Sequence, residues 1–104
     1  MPASARITDL KPGHDAKQAD AAMCSRFRLT AAQVRTRFAT YHRLVPREEH
    51  DFYLWFPCWV DGTIRYNGAV WHFHTQAGHL LWTDWPDGQQ KELGGVHDDD
   101  PSGN

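Results

Sequence analysis

The fold is decided by residues 63–83, TIRYNGAVWHFHTQAGHLLWT, in which short β-prone runs alternate with dipeptides that favour tight turns. Asn67-Gly68 is the strongest of these signals, because a two-residue hairpin turn needs positive φ angles that Asn and Gly adopt easily. Ala77-Gly78 divides the rest of the stretch in the same way. The stretch therefore predicts three antiparallel strands, at Thr63–Tyr66, Ala69–Gln76 and His79–Trp85.

The flanking residues extend this pattern in both directions. Phe52–Val60 is apolar throughout and rich in aromatic residues, and the Asp61-Gly62 behind it is another hairpin signal. Downstream, the turn-forming Pro86-Asp87-Gly88 precedes Gln89–Leu93, a short candidate fifth strand. We predict a meander of four or five antiparallel strands.

A helix precedes the strands. Thr30 followed by Gln33 is a capping-box pattern, and the predicted helix runs from Thr30 to about Leu44. Pro46 ends it, because the residue before a proline disfavours the α region. The helix has an apolar face, formed by Val34, Phe38, Tyr41 and Val45, and its basic residues are expected to point to solvent: Arg35, Arg37, His42 and Arg43. The predicted fold class is α+β, with one N-terminal helix packed on a four- to five-stranded antiparallel β-meander.

The 104 residues have room for a single domain. Residues 1–24 contain little that a core would bury, so we expect a flexible or weakly helical segment there. Residues 94–104 are expected to form a disordered acidic tail. The α+β domain is therefore assigned to residues 25–93.

Cysteine content and hydropathy bear on the compartment. Two cysteines cannot make a disulfide framework, and Cys24 and Cys58 lie 34 residues apart, so Cys58 is expected to be a buried, inert thiol. Residues 1–17 lack the apolar region of a signal peptide, and no run approaches the length that crosses a bilayer. The expected location is the cytoplasm.

The hairpin at Ala77-Gly78 has two possible strand registers. Two-residue loops at every turn would place Trp59 opposite Ile64, Ile64 opposite Trp71, and Phe73 opposite Trp82. A three-residue loop with Gly78 in the left-handed region is the alternative, and it exchanges the two faces of the following strand.

Three histidines form the candidate metal site. His72 and His74 lie two apart on one strand, so both point to the same face in either register. His79 joins them only if the loop has two residues. A third or fourth ligand is not evident, and exposed histidines on a half-buried strand are the alternative interpretation, so no cofactor is predicted.

The first strand provides the candidate interaction surface. It is apolar on both faces although it begins the meander, where a sheet edge is expected. One helix covers one face only. The other face, with Phe52, Leu54, Phe56 and Val60, is expected to be covered by a second molecule or by the N-terminal segment.

Basic residues are concentrated before the strands. Six arginines and no acidic residue lie between Arg26 and Arg47, although the whole chain has a net charge of −2. Arg35, Arg37 and Arg43 are the candidate anion-binding residues of a helix that would contact nucleic acid. The alternative is a basic helix face that balances an acidic sheet.

No nucleophile–base pattern, phosphate loop or zinc-protease motif is present in the sequence. We therefore predict a small non-enzymatic protein-interaction module, homodimeric or bound to another protein, with no membrane association. A small-ligand or metal-binding protein that uses the sheet histidines is the first alternative, and nucleic-acid binding through the arginine-rich helix is the second.

Overall fold

The computed structural model describes residues 1–15, 24–44 and 57–95. The regular elements in these segments are the helix α1 (Ala31–Thr40) and the strands β1 (Arg6–His14), β2 (His42–Arg43), β3 (Cys58–Tyr66), β4 (Ala69–Gln76), β5 (Leu80–Thr83) and β6 (Lys91–Gly94). The strands form one antiparallel sheet in the order β1-β3-β4-β5-β6-β2. The predicted α+β class is confirmed, and the meander runs from β3 to β6.

The two faces of the sheet have different roles. Val60, Ile64 and Phe73 lie on the face that we call inner, because Phe38 of α1 packs edge-on against the Phe73 ring at 5.9 Å between ring centroids. We call the opposite face outer. In the part of the chain that the structure describes, no helix is both long enough and apolar enough to cross a membrane.

Strand β1 corrects the expectation for the N-terminal segment. Arg6–His14 pairs with β3 along its length, where a flexible or weakly helical segment was predicted. A bulge interrupts the pairing between Thr8 and Lys11, and Asp9 within it has a φ of 56°. Pro12, a charged side chain and a bulge are the features that protect an edge strand from further pairing. The N-terminal segment, which was the alternative cover for one face of the predicted strand 52–60, lies beside β3 as its edge partner.

Strand β3 passes straight through the predicted Asp61-Gly62 turn. Asp61 and Gly62 pair with His74 and Phe73 of β4, so Trp59 lies opposite Gln76 and not opposite Ile64. The physical reason is packing of the Phe73 ring. A Cβ at Gly62 would overlap Cζ of Phe73. Close packing against this ring accounts for a glycine at position 62 without a turn there.

The Asn67-Gly68 hairpin is confirmed. Both residues have positive φ, 51° and 79°, and the strands close with Tyr66 opposite Ala69. The predicted pairing of Ile64 with Trp71 follows from this turn and is also confirmed.

The next hairpin has the three-residue loop, Ala77 to His79, with Gln76 opposite Leu80. Its left-handed residue is His79, with a φ of 65°, and not Gly78. Phe73 therefore lies opposite Thr83 and not Trp82. Because strand neighbours alternate between faces, Trp82 moves to the outer face with His74.

The C-terminal end of the described chain confirms a strand where the fifth was predicted, and it is the fourth of the meander because β3 replaces two predicted strands. Strand β6 pairs with β5, and β2 pairs with the far side of β6. Strand β2 was predicted to be helix. The helix ends at Thr40 instead, because Tyr41 adopts an extended conformation and packs into the core. Gly94 belongs to β6 and is buried, and residues 96–104 of the predicted tail lie outside the described residues.

The start of α1 is as predicted. Thr30 Oγ1 accepts a hydrogen bond from the Gln33 N–H, and the Gln33 side chain accepts one from the Thr30 N–H. These reciprocal bonds satisfy two backbone donors that the helix leaves unpaired. Val34 is fully buried against the sheet.

Arg37 is the main error in the predicted helix faces. It was expected in solvent but is completely buried. Its Nη1 donates to Thr75 Oγ1 and to the Gln76 carbonyl, both at 2.8 Å. Its guanidinium lies over the rings of Phe27 and Tyr41, at 5.7 and 5.5 Å. Hydrogen bonds and ring contacts are what allow a guanidinium into a core.

The two cysteines form a disulfide, which corrects the prediction of an inert thiol at Cys58. Cys24 precedes α1 and Cys58 begins β3, and their Cα atoms are 5.3 Å apart. Both are buried beside Phe27 and Val60 in the core. Disulfides persist in oxidising compartments, so the cysteine count no longer supports the expected cytoplasmic location.

Candidate binding surfaces of the sheet

A row of polar and aromatic side chains crosses the outer face. Asp61 of β3 lies opposite His74 of β4, and His74 lies opposite Trp82 of β5. Trp59 is the diagonal neighbour of His74 on β3. The imidazole is flanked by both indoles, at 5.4 Å between ring centroids on each side. Cross-strand neighbours on one face contact one another in this way throughout antiparallel sheets.

Asp61 and His74 form a hydrogen-bonded pair. Asp61 Oδ1 lies 2.6 Å from His74 Nδ1, and the side chains are 49% and 39% exposed. A carboxylate oxygen accepts hydrogen bonds, so this geometry places a proton on Nδ1, and in that tautomer of an imidazole Nε2 is an acceptor. Among the described residues, no hydroxyl or thiol is hydrogen-bonded to His74. The pair can bind a ligand but lacks a nucleophile in the described part of the chain.

An open cleft of about 320 Å³ lies beside this row, and we call it the outer cleft. Two of the residues that line it, Gly62 of β3 and Phe73 of β4, occupy inner-face positions. The remaining lining residues are Asp61, His72, His74, Trp82 and Gln90.

The predicted metal ligands are only partly brought together. His72 and His74 share the outer face, as expected from their spacing. His79 lies in the β4–β5 loop and does not join them. Residues 1–15, 24–44 and 57–95 contain no group of three or more His, Cys, Asp or Glu side chains that could hold a metal ion.

A second cavity lies at the hairpin end of the inner face. This cavity, the aromatic groove, has a volume of about 430 Å³ and is lined by Met1, Pro2, Tyr66, Trp71, Trp85 and Pro86. Trp85 packs edge-on against both neighbouring rings, at 4.7 Å from Trp71 and 6.0 Å from Tyr66 between centroids. Edge-to-face contacts of this kind add to the stability that ring burial provides.

Short contacts hold the turn that carries Trp85. The Trp85 N–H donates to Thr83 Oγ1 at 3.1 Å, and Lys91 Nζ donates to the Trp85 carbonyl at 2.8 Å. The same ammonium donates to Asp87 Oδ1 at 2.8 Å. This hydrogen bond, with a second one from the Gln89 N–H, holds the pKa of the Asp87 carboxyl below its usual range.

The predicted interaction surface is not where it was expected. Val60 is 1% exposed and belongs to the inner core, because β3 turns this residue toward the helix. Phe52, Leu54 and Phe56 lie outside the described residues.

The arginines named for anion binding do not form a common surface. Arg37 is buried in the core, as described above. The Arg35 guanidinium donates to the carbonyls of Ala5 and Pro2, at 2.7 and 2.8 Å, and so ties the N-terminus to α1. Arg43 is exposed on β2. Buried Arg37 cannot take part in a phosphate-binding face.

The aromatic groove was not predicted from the sequence. No protein-family model matches the chain, and comparisons with curated proteins and with solved structures find no match. Tyr66, Trp71 and Trp85 each lie close to a tight turn, which was the available signal. Binding residues often lie on or beside surface loops that a rigid scaffold positions.

Proposed function

We propose that the protein is a small non-enzymatic protein-interaction module that binds an extended, proline-containing segment of another polypeptide in the aromatic groove. The observation that carries this proposal is the arrangement of Tyr66, Trp71 and Trp85 around an open apolar groove. Aromatic-lined grooves suit the polyproline II conformation, whose preformed backbone loses little entropy on binding.

The lining chemistry supports this class of ligand. Apart from the Tyr66 phenol, no side chain that lines the groove is ionisable. Within the described residues, the indole N–H groups of Trp71 and Trp85 donate no hydrogen bond. A polyproline II segment exposes carbonyl oxygens that have no internal partner, and indole N–H and phenol O–H groups can donate to them.

The N-terminus of the chain already presents a proline to these rings. Pro2 lies beside the aromatic residues as part of the groove wall, and Arg35 holds its carbonyl at 2.8 Å. The wall of the groove thus combines the apolar residues Met1 and Pro2 with three aromatic rings. A partner segment of similar chemistry would extend the same contacts.

Local structure positions the aromatic side chains of the groove. Tyr66 directly precedes the Asn67-Gly68 turn, and Trp71 follows that turn by three residues on β4. Trp85 is held by Thr83 and Lys91. Preorganised aromatic side chains bind at a low conformational-entropy cost. This supports recognition by contact and not by catalysis.

A peptide titration tests the proposal. A fluorescent ten-residue peptide rich in proline is expected to bind with a Kd of about 10–100 µM, which is the weak range of small grooves. Replacing its prolines with alanine should abolish measurable binding. Trp85→Ala should weaken binding at least about tenfold, because Trp residues dominate small interfaces.

Two further variants separate recognition from folding. Tyr66→Phe keeps the ring and removes the hydroxyl, so we expect a loss of about threefold in affinity. Val70→Ala is the matched control, since Val70 is 45% exposed on the same hairpin but belongs to the outer face. Equal affinity of the wild type, Trp85→Ala and Tyr66→Phe would reject the groove as the binding surface.

The predicted homodimer is tested by light scattering coupled to size-exclusion chromatography. Self-association was predicted because residues 52–60 are apolar on both faces of a strand, but Val60 in this stretch is buried in the core. A dimer that persists in Trp85→Ala would mean that self-association uses a surface other than the groove. A monomer at all concentrations would leave a different protein as the partner.

A further inference from the structure

The outer cleft combines features that the proposed peptide function does not use. One wall is an indole, Trp82, and the others carry a carboxylate, two imidazoles and an amide. These groups come from three strands and from the loop before β6 and converge on one opening. A concave site with an apolar wall and a few convergent polar groups is the usual form of a small-ligand site.

We propose that the outer cleft binds a neutral saccharide, with one sugar ring stacked on Trp82 and its hydroxyl groups hydrogen-bonded to Asp61, His74 and Gln90. One face of a sugar ring is a set of C–H bonds, and these pack on the face of an indole. The ring edge carries hydroxyls, each of which both donates and accepts hydrogen bonds.

The polar lining matches hydroxyls more closely than it matches ions. Asp61 accepts, Nε2 of His74 accepts in the tautomer that carries its proton on Nδ1, and the Gln90 amide does both. No Lys or Arg lines the cleft, while a carboxylate does, so an anionic ligand such as a phosphate would be repelled. The described residues offer no third side chain that would complete a metal site with His72 and His74.

The Asp61–His74 pair would fix the orientation of the ligand. The 2.6 Å hydrogen bond holds the imidazole in one tautomer, and the two indoles at 5.4 Å hold its plane. Nε2 therefore presents an acceptor in a defined position. A ligand hydroxyl that donates to Nε2 would lie beside Trp82, which is the next side chain in the row.

NMR titration of the full, ¹⁵N-labelled chain tests this proposal. The probes are the methyl glycosides of glucose, galactose and mannose, followed by cellobiose, maltose and lactose. We expect saturable shifts of the Gly62 and Phe73 amides and of the Trp82 indole N–H with at least one probe. The Kd should be about 0.1–10 mM, since one sugar ring makes few contacts. The indole signals of Trp71 and Trp85 should not move.

Matched variants identify the site. Asp61→Asn removes the charge at constant size, and we expect about tenfold weaker saccharide binding because charge-assisted hydrogen bonds are the stronger ones. Asp87→Asn makes the same chemical change beside the aromatic groove and should leave saccharide affinity within about twofold. Gln90→Ala, at an exposed position outside the strands, gives a second test with an expected loss of about threefold.

Several results would overturn the proposal. These are the absence of shifts at Gly62 and Phe73 with every saccharide, or shifts that persist unchanged in both Asp61→Asn and Gln90→Ala. Stronger responses to adenosine would assign a nucleoside site, and a response to zinc chloride alone would assign a metal site at His72 and His74. Peptide binding depends on Trp85, so failure here leaves the proposed function standing.

Discussion

The aromatic groove and the outer cleft are built on the same two strands, β3 and β4, yet their chemistry differs. Tyr66 and Trp71 face inward and line a groove without a charged side chain. Asp61 and His74 face outward and line a cleft with a carboxylate and two imidazoles. The alternation of side chains along a strand is enough to separate the two surfaces.

The two surfaces also differ in what holds them in place. The groove depends on contacts around the last turn, chiefly those of the Lys91 ammonium of β6 with the Trp85 carbonyl and Asp87. The cleft depends on the register of adjacent strands, because that register sets Asp61, His74 and Trp82 in one row. Changes in the sheet should therefore affect the cleft first, and changes in the last turn should affect the groove first.

Removing the disulfide should have the largest effect and should weaken both surfaces. The Cys24→Ser/Cys58→Ser double variant is expected to lose about 2–4 kcal/mol of unfolding free energy, because the cross-link restricts the unfolded chain between two residues 34 positions apart. Urea unfolding with and without a reductant measures this loss.

The reductant provides the control for that experiment. It should lower the stability of the wild type to that of the double variant and leave the double variant unchanged. A wild type that is equally stable in both conditions would mean that the disulfide is absent in solution. Loss of stability at the start of β3 would also free Trp59, which packs over Gly13 of β1.

Gly62→Ala should disturb the cleft and leave the groove intact. The added Cβ would overlap Cζ of Phe73, a buried ring in contact with Phe38, so the ring or the strand must shift. Overpacking of this kind costs about 1–3 kcal/mol, measurable by urea unfolding. NMR shifts should concentrate at Asp61 and His74, with peptide affinity in the groove unchanged.

A double-mutant cycle tests whether overlap with the Phe73 ring causes the loss of stability in Gly62→Ala. In a Phe73→Leu background the ring is absent, so Gly62→Ala should cost less than it does in the wild type. If the cost is the same in both backgrounds, the clash with Phe73 is not its cause.

Local signals predicted much of the fold. The capping box at Thr30, the Asn67-Gly68 hairpin and the short fifth strand each depend on residues close in sequence, and all three are confirmed. Asp61-Gly62 carries a similar dipeptide signal, but there the need to accommodate the Phe73 ring outweighs turn propensity. Dipeptides identify turns only where the surrounding packing agrees.

The errors have two causes, which are contacts between segments distant in sequence and a charge that outweighed helical spacing in the prediction. Arg37 follows Val34 by three positions and precedes Tyr41 by four, so helical spacing already placed it on the buried face, and its charge was given too much weight. The Cys24–Cys58 disulfide and strand β1 depend on contacts across the fold that neither segment signals by itself. The position of Trp82 has a local cause that the sequence left open, since the three-residue loop that ends at His79 places Trp82 on the outer face.

Asp87→Asn should have the smallest effect, confined to the groove and to acidic solution. The Lys91 hydrogen bond holds the folded-state pKa of Asp87 below its usual range, so the charged carboxylate stabilises the folded state. This contribution is fully present above the unfolded-state pKa and is lost as the pH falls through the lower folded-state pKa. The wild type should therefore be slightly more stable than Asp87→Asn at neutral pH, and the difference should vanish in strong acid.

Urea unfolding of both proteins from neutral to strongly acidic pH measures this difference in stability. A difference that stays constant over the whole range would show that the carboxylate charge is not responsible. Saccharide titrations of the same variant should show an unchanged outer cleft, which would confirm that the two surfaces are held independently.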